Sequence, residues 1–407
     1  MKILIINGIY GARSSGRSIS DIKTLLTENG DHVFVATPNN YSGDEFYRIG
    51  NALDHKLHAL LSRVTGKQAY FSHIATRNLL SYIDSVRPDL VHLQVIHGNY
   101  LNFPLLMNYL AQKNIPAVFV LDDCWYYTGK CCHYTSDRCY KWKTQCGDCP
   151  RVHKDNPSLF LDRSRIMHQD KKRLFTQLPR YAVVTVSDWL KSEVEQSYLK
   201  DTAIVRRIYN AIDINVFRYR SDCAEEKARL GLQNCQVILG VAAAWKDHQG
   251  LSKGIKYFIE LAGRLPQEIR IVLIGKPDPD LALPDNIVSV PFVDGPEELS
   301  RYYSMADVFV QMSREETFGK VTAEALACGT PAVVFDATAN PELIGPGCGA
   351  VVPDCDLDAM LRNILLILKI GRSDFSASCR KFAEINFDAN VISRQFLKLY
   401  HDLLDIK

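Results

Sequence analysis

At 407 residues the chain has room for two or three domains, each large enough to bury a core. Its 47% hydrophobic and 23% charged content is that of an ordinary globular protein, and 23 Gly with 17 Pro exclude a collagen-like or low-complexity chain. A net charge of +2 is too small to favour a nucleic-acid binder.

The first run, Lys2–Asn7, is apolar but too short for a secretory leader and lacks a small-residue cleavage site, so it reads as a buried strand. Similar short Val/Ile/Leu-rich runs follow at His32–Thr37, Asp89–Gln94, Pro116–Leu121 and Tyr181–Ser187. They resume at Val237–Ala242, Arg270–Gly275, Ile287–Val290, Asp307–Gln311 and Pro331–Phe335. None alternates cleanly, which is how strands covered on both faces read. Helical patterns lie between most of them, so the simplest solution is parallel sheets wound by helices on both sides. Residues 39–74 form a long insert with Tyr41, Phe46, Tyr47, Leu57, Leu60 and Leu61, partly amphipathic helix. Such a stretch packs on its own domain, shapes a binding site or touches a membrane surface.

The series breaks after a helix around Asp188–Tyr198, at Ile208–Asp213, and a polar stretch from Arg218 to Lys227 follows. This places a boundary near residue 210. The expected domains are 1–209 and 210–385, doubly wound and facing across a cleft. A final helix, 386–407, carries the apolar stripe Ile392, Phe396, Leu399, Leu403 and is free to pack back on the first domain. No run of 18 apolar residues reads as a membrane span, so a cytoplasmic protein with reduced thiols is expected.

Of the 12 cysteines, Cys124, Cys131, Cys132, Cys139, Cys146 and Cys149 crowd into 26 residues. Cys132, Cys139, Cys146 and Cys149 have the number and type of ligands for a structural zinc that would pin a long loop. Reduced cysteines, or disulfides formed in air, are the alternative. Nothing pairs a thiol with a base, so cysteine catalysis is not expected.

Ligands on wound sheets bind beyond the carboxyl ends of the strands. The strongest signal lies there, after Asp307–Gln311: Glu316-Thr317-Phe318-Gly319-Lys320, continuing to Glu324 and Gly329. Glu316 falls in the loop, Gly319 opens a helix, Glu324 lies on it and Gly329 caps its end. A helix N-terminus favours a diphosphate, and glycine permits close approach. Carboxylates eight positions apart could hold hydroxyls at two ends of a sugar nucleotide; they could equally be a helix-start charge and a solvated face.

This Glu-x7-Glu element, with Phe-Gly after the first Glu and then Glu-Ala-Leu-Ala-Cys-Gly-Thr-Pro, resembles the retaining family-4 glycosyltransferases of the GT-B fold. The segments Asp89–Asn102, Asp123–Gly129 and Trp142–Pro150 are similar to the subgroup that builds colanic acid, exopolysaccharide and capsule. Ser187-Asp188-Trp189 and Asn210-Ala211-Ile212-Asp213 also fit the family, in order and spacing.

The resemblance implies two Rossmann-like domains, the donor site in the second and the acceptor site in the first. By position, Glu316 would hold the donor sugar, and the backbone of Phe318, Gly319 and Lys320 would face the sugar and diphosphate. Glu324 would bind the ribose, Lys253 the diphosphate, and Gly275-Lys276 would meet the base. The usual partner arginine before Lys253 is missing, with Lys246 or His248 as substitutes; Lys253 is otherwise a solvated helix-start lysine. The loop Gly11–Ser18, with Gly16 and Arg17, is a near miss to a P-loop, with arginine where the phosphate lysine belongs. It reads as a flexible glycine loop at the cleft or a plain βα turn. No dinucleotide fingerprint occurs there.

Two departures stand out. The subgroup's His-x-His-x-x-His is here His92-Leu93-Gln94-Val95-Ile96-His97, and its His before the fifth-strand Asp is Asp122. An ionised Asp122 only accepts hydrogen bonds and would repel a diphosphate close by. His97 would be the remaining acid or acceptor contact, or a core histidine. The expectation is a retaining transferase moving a sugar from a nucleoside diphosphate to a saccharide or lipid-linked saccharide. It would work at the inner membrane face with peripheral contact, and with no cofactor needed for catalysis. A silent glycan- or partner-binding protein and a sugar-nucleotide epimerase are the alternatives.

Overall fold

A computed structural model describes residues 1–11, 13–246, 253–291, 293 and 295–406. They divide into two compact units. The first takes in Met1–Asn210 with Ile392–Lys407, the second Ala211–Val391.

The first unit holds a parallel sheet of β1 (Lys2–Ile6), β2 (His32–Thr37), β3 (Phe46–Arg48), β4 (Leu90–Leu93), β5 (Ala117–Leu121), β6 (Tyr181–Thr185) and β7 (Ile204–Arg207). Its order is β3-β2-β1-β4-β5-β6-β7. The second unit holds β8 (Gln236–Ala244), β9 (Ile269–Lys276), β10 (Ile287–Val290), β11 (Val308–Gln311), β12 (Ala332–Phe335) and β13 (Gly349–Val352), in the order β10-β9-β8-β11-β12-β13. Both are doubly wound: the order reverses between β1 and β4, and again between β8 and β11. Register aligns Ile3 with Leu90 and Ile6 with Leu93 in one sheet, and Ile238 with Val308 in the other.

All ten strands expected from the sequence are present. Three were not expected: β3, β7 and β13. Each lies at a sheet edge, and each is short and largely half-buried, so none shows the continuous apolar run by which a covered strand is recognised. The insert 39–74 contains β3 and the amphipathic helix Ala52–Thr65, capped by the Asn51 side chain at its start and by Gly66 at φ 71° at its end.

The C-terminal helix, Ala389–Leu404, buries Ile392, Phe396, Leu399, Tyr400 and Leu403. Tyr400 Oη lies 2.7 Å from Nδ1 of His92 on β4, and Arg206 on β7 pairs with Asp402 at 2.8 Å. His92 is fully buried, and that burial drives its pKa down to about 4. It is a neutral core histidine under this helix. No helix among the described residues is long and apolar enough to cross a membrane.

Candidate active site

The topology brings chemistry to the switch point of the second sheet. The segment after β8 ends at Lys253 and Gly254, and the segment after β11 carries Glu316. Lys253 Nζ meets Glu316 Oε1 at 2.5 Å. Gly254 has φ 86°, and a Cβ there would come within 2.6 Å of the Met312 carbonyl oxygen; the two segments are too close for any other residue. Gln311 Nε2 also reaches Glu316 Oε1, at 3.4 Å. Glu316 N–H donates to Thr338 Oγ1 at 3.0 Å, and its carbonyl accepts from Ala339 N–H at 3.2 Å. The Glu316 backbone is thus held by the segment after β12, and its carboxylate by Lys253 and Gln311.

Gly319 follows in the left-handed region, φ 94°, and opens the helix Lys320–Ala327. The Thr322 N–H closes the first turn on the Gly319 carbonyl at 2.9 Å, and the helix N-terminus carries the positive end of its dipole, which favours an anion. The Phe318 side chain is buried against Phe387, with ring centroids 5.5 Å apart. Glu324 is not on a solvated face. It is 1% exposed and accepts a hydrogen bond from Tyr303 Oη at 3.0 Å. The structure therefore joins Glu316 to Lys253 and Glu324 to Tyr303. Gly275, φ 141° near the end of β9, packs so tightly that a Cβ would lie 2.1 Å from the Ala242 carbonyl oxygen. Lys246 is exposed, and His248 lies outside the described residues.

In the first unit, two pairs bridge the ends of β4 and β5. Gln94 Nε2 donates to Asp122 Oδ2 at 2.6 Å, and His97 Nε2 lies 2.9 Å from Asp123 Oδ2. The two subgroup departures, Gln94 and Asp122, thus answer each other. Burial pushes the Asp123 carboxyl up, but His97 and the Trp125 N–H outweigh it and hold it below the ordinary range. Gln68 supports the site from below, donating to the His97 carbonyl at 2.8 Å and accepting from the Trp125 indole at 2.7 Å. Cys132 joins here, its sulfur within 4.8 Å of the His97 and Asp123 ligand atoms.

One placement is corrected. Gly16 and Arg17 are not in a flexible loop: the helix Arg13–Glu28 already contains them, because the turn after β1 closes by Gly11, φ 68°, whose N–H bonds the Gly16 carbonyl at 2.9 Å. Supporting residues that the sequence reading did not single out are Gln311, Thr338, Tyr303 and Gln68. All but Tyr303 act from loops or strand ends, and none has a motif of its own.

Paired doubly wound parallel sheets, one with a lysine–glutamate pair and a glycine-opened helix at its switch point, define a GT-B protein. A model described as Glycosyltransferase Family 4 matches residues 15–216, and one described as glycosyl transferases group 1 matches residues 228–385. The chain belongs to the family-4 glycosyltransferases of the GT-B fold. It is 22% identical over 324 residues to a putative colanic acid biosynthesis glycosyl transferase, WcaC, of Escherichia coli K12, covering 78% of this chain and 77% of that protein. Among solved structures it is similar to sucrose-phosphate synthase from Thermosynechococcus elongatus, with TM-score 0.69, 17% identity and 100% of both chains covered. It is also similar to Anabaena Alr3699/HepE in complex with UDP-glucose, with TM-score 0.65, 15% identity, and 99% of this chain and 100% of that one covered.

Proposed function

We propose that the protein transfers a sugar, with retention, from a nucleoside diphosphate donor to a saccharide or lipid-linked saccharide in the synthesis of a surface polysaccharide. The Lys253–Glu316 pair at the second sheet's switch point carries this reading. An ammonium and a glycine-opened helix N-terminus supply positive potential for a departing diphosphate, and a fixed carboxylate beside them accepts hydrogen bonds from sugar hydroxyls. The 2.5 Å pair holds Lys253 in place before donor arrives. On binding, its ammonium would be shared between carboxylate and phosphate. Glu324 with Tyr303 would hold the ribose side of the donor. The WcaC likeness supports polysaccharide as the product class.

His97, oriented by Asp123, is the first unit's proton-handling group, and Asp122, held by Gln94, replaces a donor with an acceptor. That exchange also favours a second reading, a silent glycan-binding protein. The helix Ala52–Thr65 exposes Leu53, Leu57, Leu60 and Val64 at successive spacings of four, three and four, beside exposed Lys56 and Arg63. Exposed Leu159, Phe160 and Leu161 adjoin it, since Leu159 N–H bonds the Arg63 carbonyl at 2.8 Å. An apolar stripe with basic flanks suits an anionic lipid surface, where a lipid-linked acceptor would be met. The deciding experiment incubates the protein with sugar nucleotides of each base and lipid-linked saccharides. It follows nucleoside diphosphate release and reads the product's anomeric configuration by NMR. Retained configuration supports the proposal. Inversion removes the retaining assignment, and binding without turnover for any pair favours the silent reading.

A further inference from the structure

Between β5 and the helix Ser164–Thr176 the chain runs through residues 122–163 with only one short helical turn, Lys141–Lys143. So long a connection needs something to hold it. Part of the answer is a small core of its own: Tyr127, Tyr134 and Trp142 are buried, and fully buried Arg151 pairs with Asp137 at 2.5 Å and Asp155 at 3.1 Å.

The rest of the answer lies in the thiols. Cys131, Cys139, Cys146 and Cys149 line one cavity of about 20 Å³, close to the space of a single water-sized sphere. Cys131 and Cys149 have sulfurs 3.7 Å apart. Two thiolates on one tetrahedral zinc, each at about 2.3 Å, stand about 3.8 Å apart. The Gly129 N–H donates to Cys146 Sγ at 3.2 Å, and the Arg151 N–H donates to Cys149. Such backbone donors stabilise metal-bound thiolates. Lys130 and Lys171 are almost fully buried. Lys130 faces Cys149 and Cys131 together with Asp155 and Asp162, and Lys171 faces Cys146, Cys132, Asp123 and Cys131. Buried ammonium groups need nearby negative charge. Zinc with four thiolates carries two net negative charges and would add to the carboxylates beside these lysines, whose ammonium groups also donate to the Val152 carbonyl at 2.7 Å and the Trp125 carbonyl at 2.6 Å.

We propose that Cys131, Cys139, Cys146 and Cys149 bind one structural zinc ion. Cys131 takes the place the sequence reading gave Cys132. The chain bends at Cys132, so Cys131 lines the cavity while Cys132 lies beside His97 and Asp123. With four protein ligands the site is closed, so the metal shapes the fold and takes no substrate. The same short segment thereby ties the metal to the His97–Asp123 pair: Cys124 N–H bonds the Cys132 carbonyl at 2.9 Å, and Thr128 Oγ1 the Cys131 carbonyl at 2.7 Å.

The test is elemental analysis of untagged, full-length protein purified under reducing conditions without chelator. The expected result is one zinc per chain, retained in Cys132→Ser and lost in Cys139→Ser and Cys146→Ser. Because the latter two variants could fail to fold, a second measurement uses the unmodified chain. A mercurial should release zinc as the reactive thiols are modified, and cobalt substitution should give thiolate charge-transfer bands. Absence of zinc, iron in its place, loss of zinc on Cys132→Ser alone, or a Cys131–Cys149 disulfide in protein from freshly lysed cells would overturn the proposal.

Discussion

The two units share a strand order around β1 and around β8, yet they present chemistry in different ways. In the second unit the key carboxylate sits in a short segment after β11, next to the glycine that opens the following helix. Scaffold and site are nearly contiguous. In the first unit the switch-point residues, His97 with Asp123 and Gln94 with Asp122, depend on what stands behind them. That support comes from Gln68 in one insert, Trp125 in another and a C-terminal helix that covers His92. One wound sheet thus presents its site from its own strand ends, and the other relies on long connections for support.

The largest expected effect falls on the contiguous site. Glu316→Gln removes the charge that meets Lys253 and turns one of the two carboxylate acceptors proposed for sugar hydroxyls into a donor amide. Transfer should fall by about 100-fold or more while nucleotide affinity changes little. Equal transfer in the variant would remove Glu316 from its role. On the other side, Asp123→Asn should lower kcat by about tenfold by releasing the His97 ring, with donor affinity unchanged. A loss in donor affinity instead would show that the pair belongs to the donor site.

The units should also respond differently to acid. Burial lowers His58, His92 and His168 to about 4 from 6.5, and all three lie in the first unit. Their depressed values add stability that is complete above pH 6.5 and is lost as pH falls toward 4. Each represents up to about 3 kcal/mol. A Trp245→Phe chain keeps Trp125, Trp142 and Trp189, all in the first unit, as fluorescence reporters. That fluorescence should report acid unfolding of the first unit before circular dichroism shows loss of the second. A single shared transition would mean the units unfold together. The smallest effect is at the surface: Leu57→Glu with Leu60→Glu should weaken sedimentation with anionic vesicles several-fold and leave stability unchanged. Unaltered sedimentation would detach that helix from the membrane reading.

What could be read from sequence follows the same division. Covered strands announce themselves by apolar runs, so the interior of both sheets was legible, whereas edge strands β3, β7 and β13 were not. Glu316, Gly319 and Lys253 were legible because a motif places them. The Glu324–Tyr303 bond and the Gln311 and Thr338 contacts to Glu316 arise only when separate strands meet. The cysteine spacing announced a cluster, but spacing alone does not say which of two adjacent thiols faces inward. Here Cys131 lines the cavity with Cys139, Cys146 and Cys149, and Cys132 lies beside His97 and Asp123.

If Lys253 and Glu316 mark a nucleoside diphosphate site, calorimetric titration of UDP, GDP, dTDP and ADP into the protein and into Lys253→Ala will reveal it. One nucleotide should bind, and the variant should weaken that binding by about 10- to 100-fold, the worth of a charge-assisted contact. Equal affinity in the folded variant, or no binding to the folded parent, would contradict it.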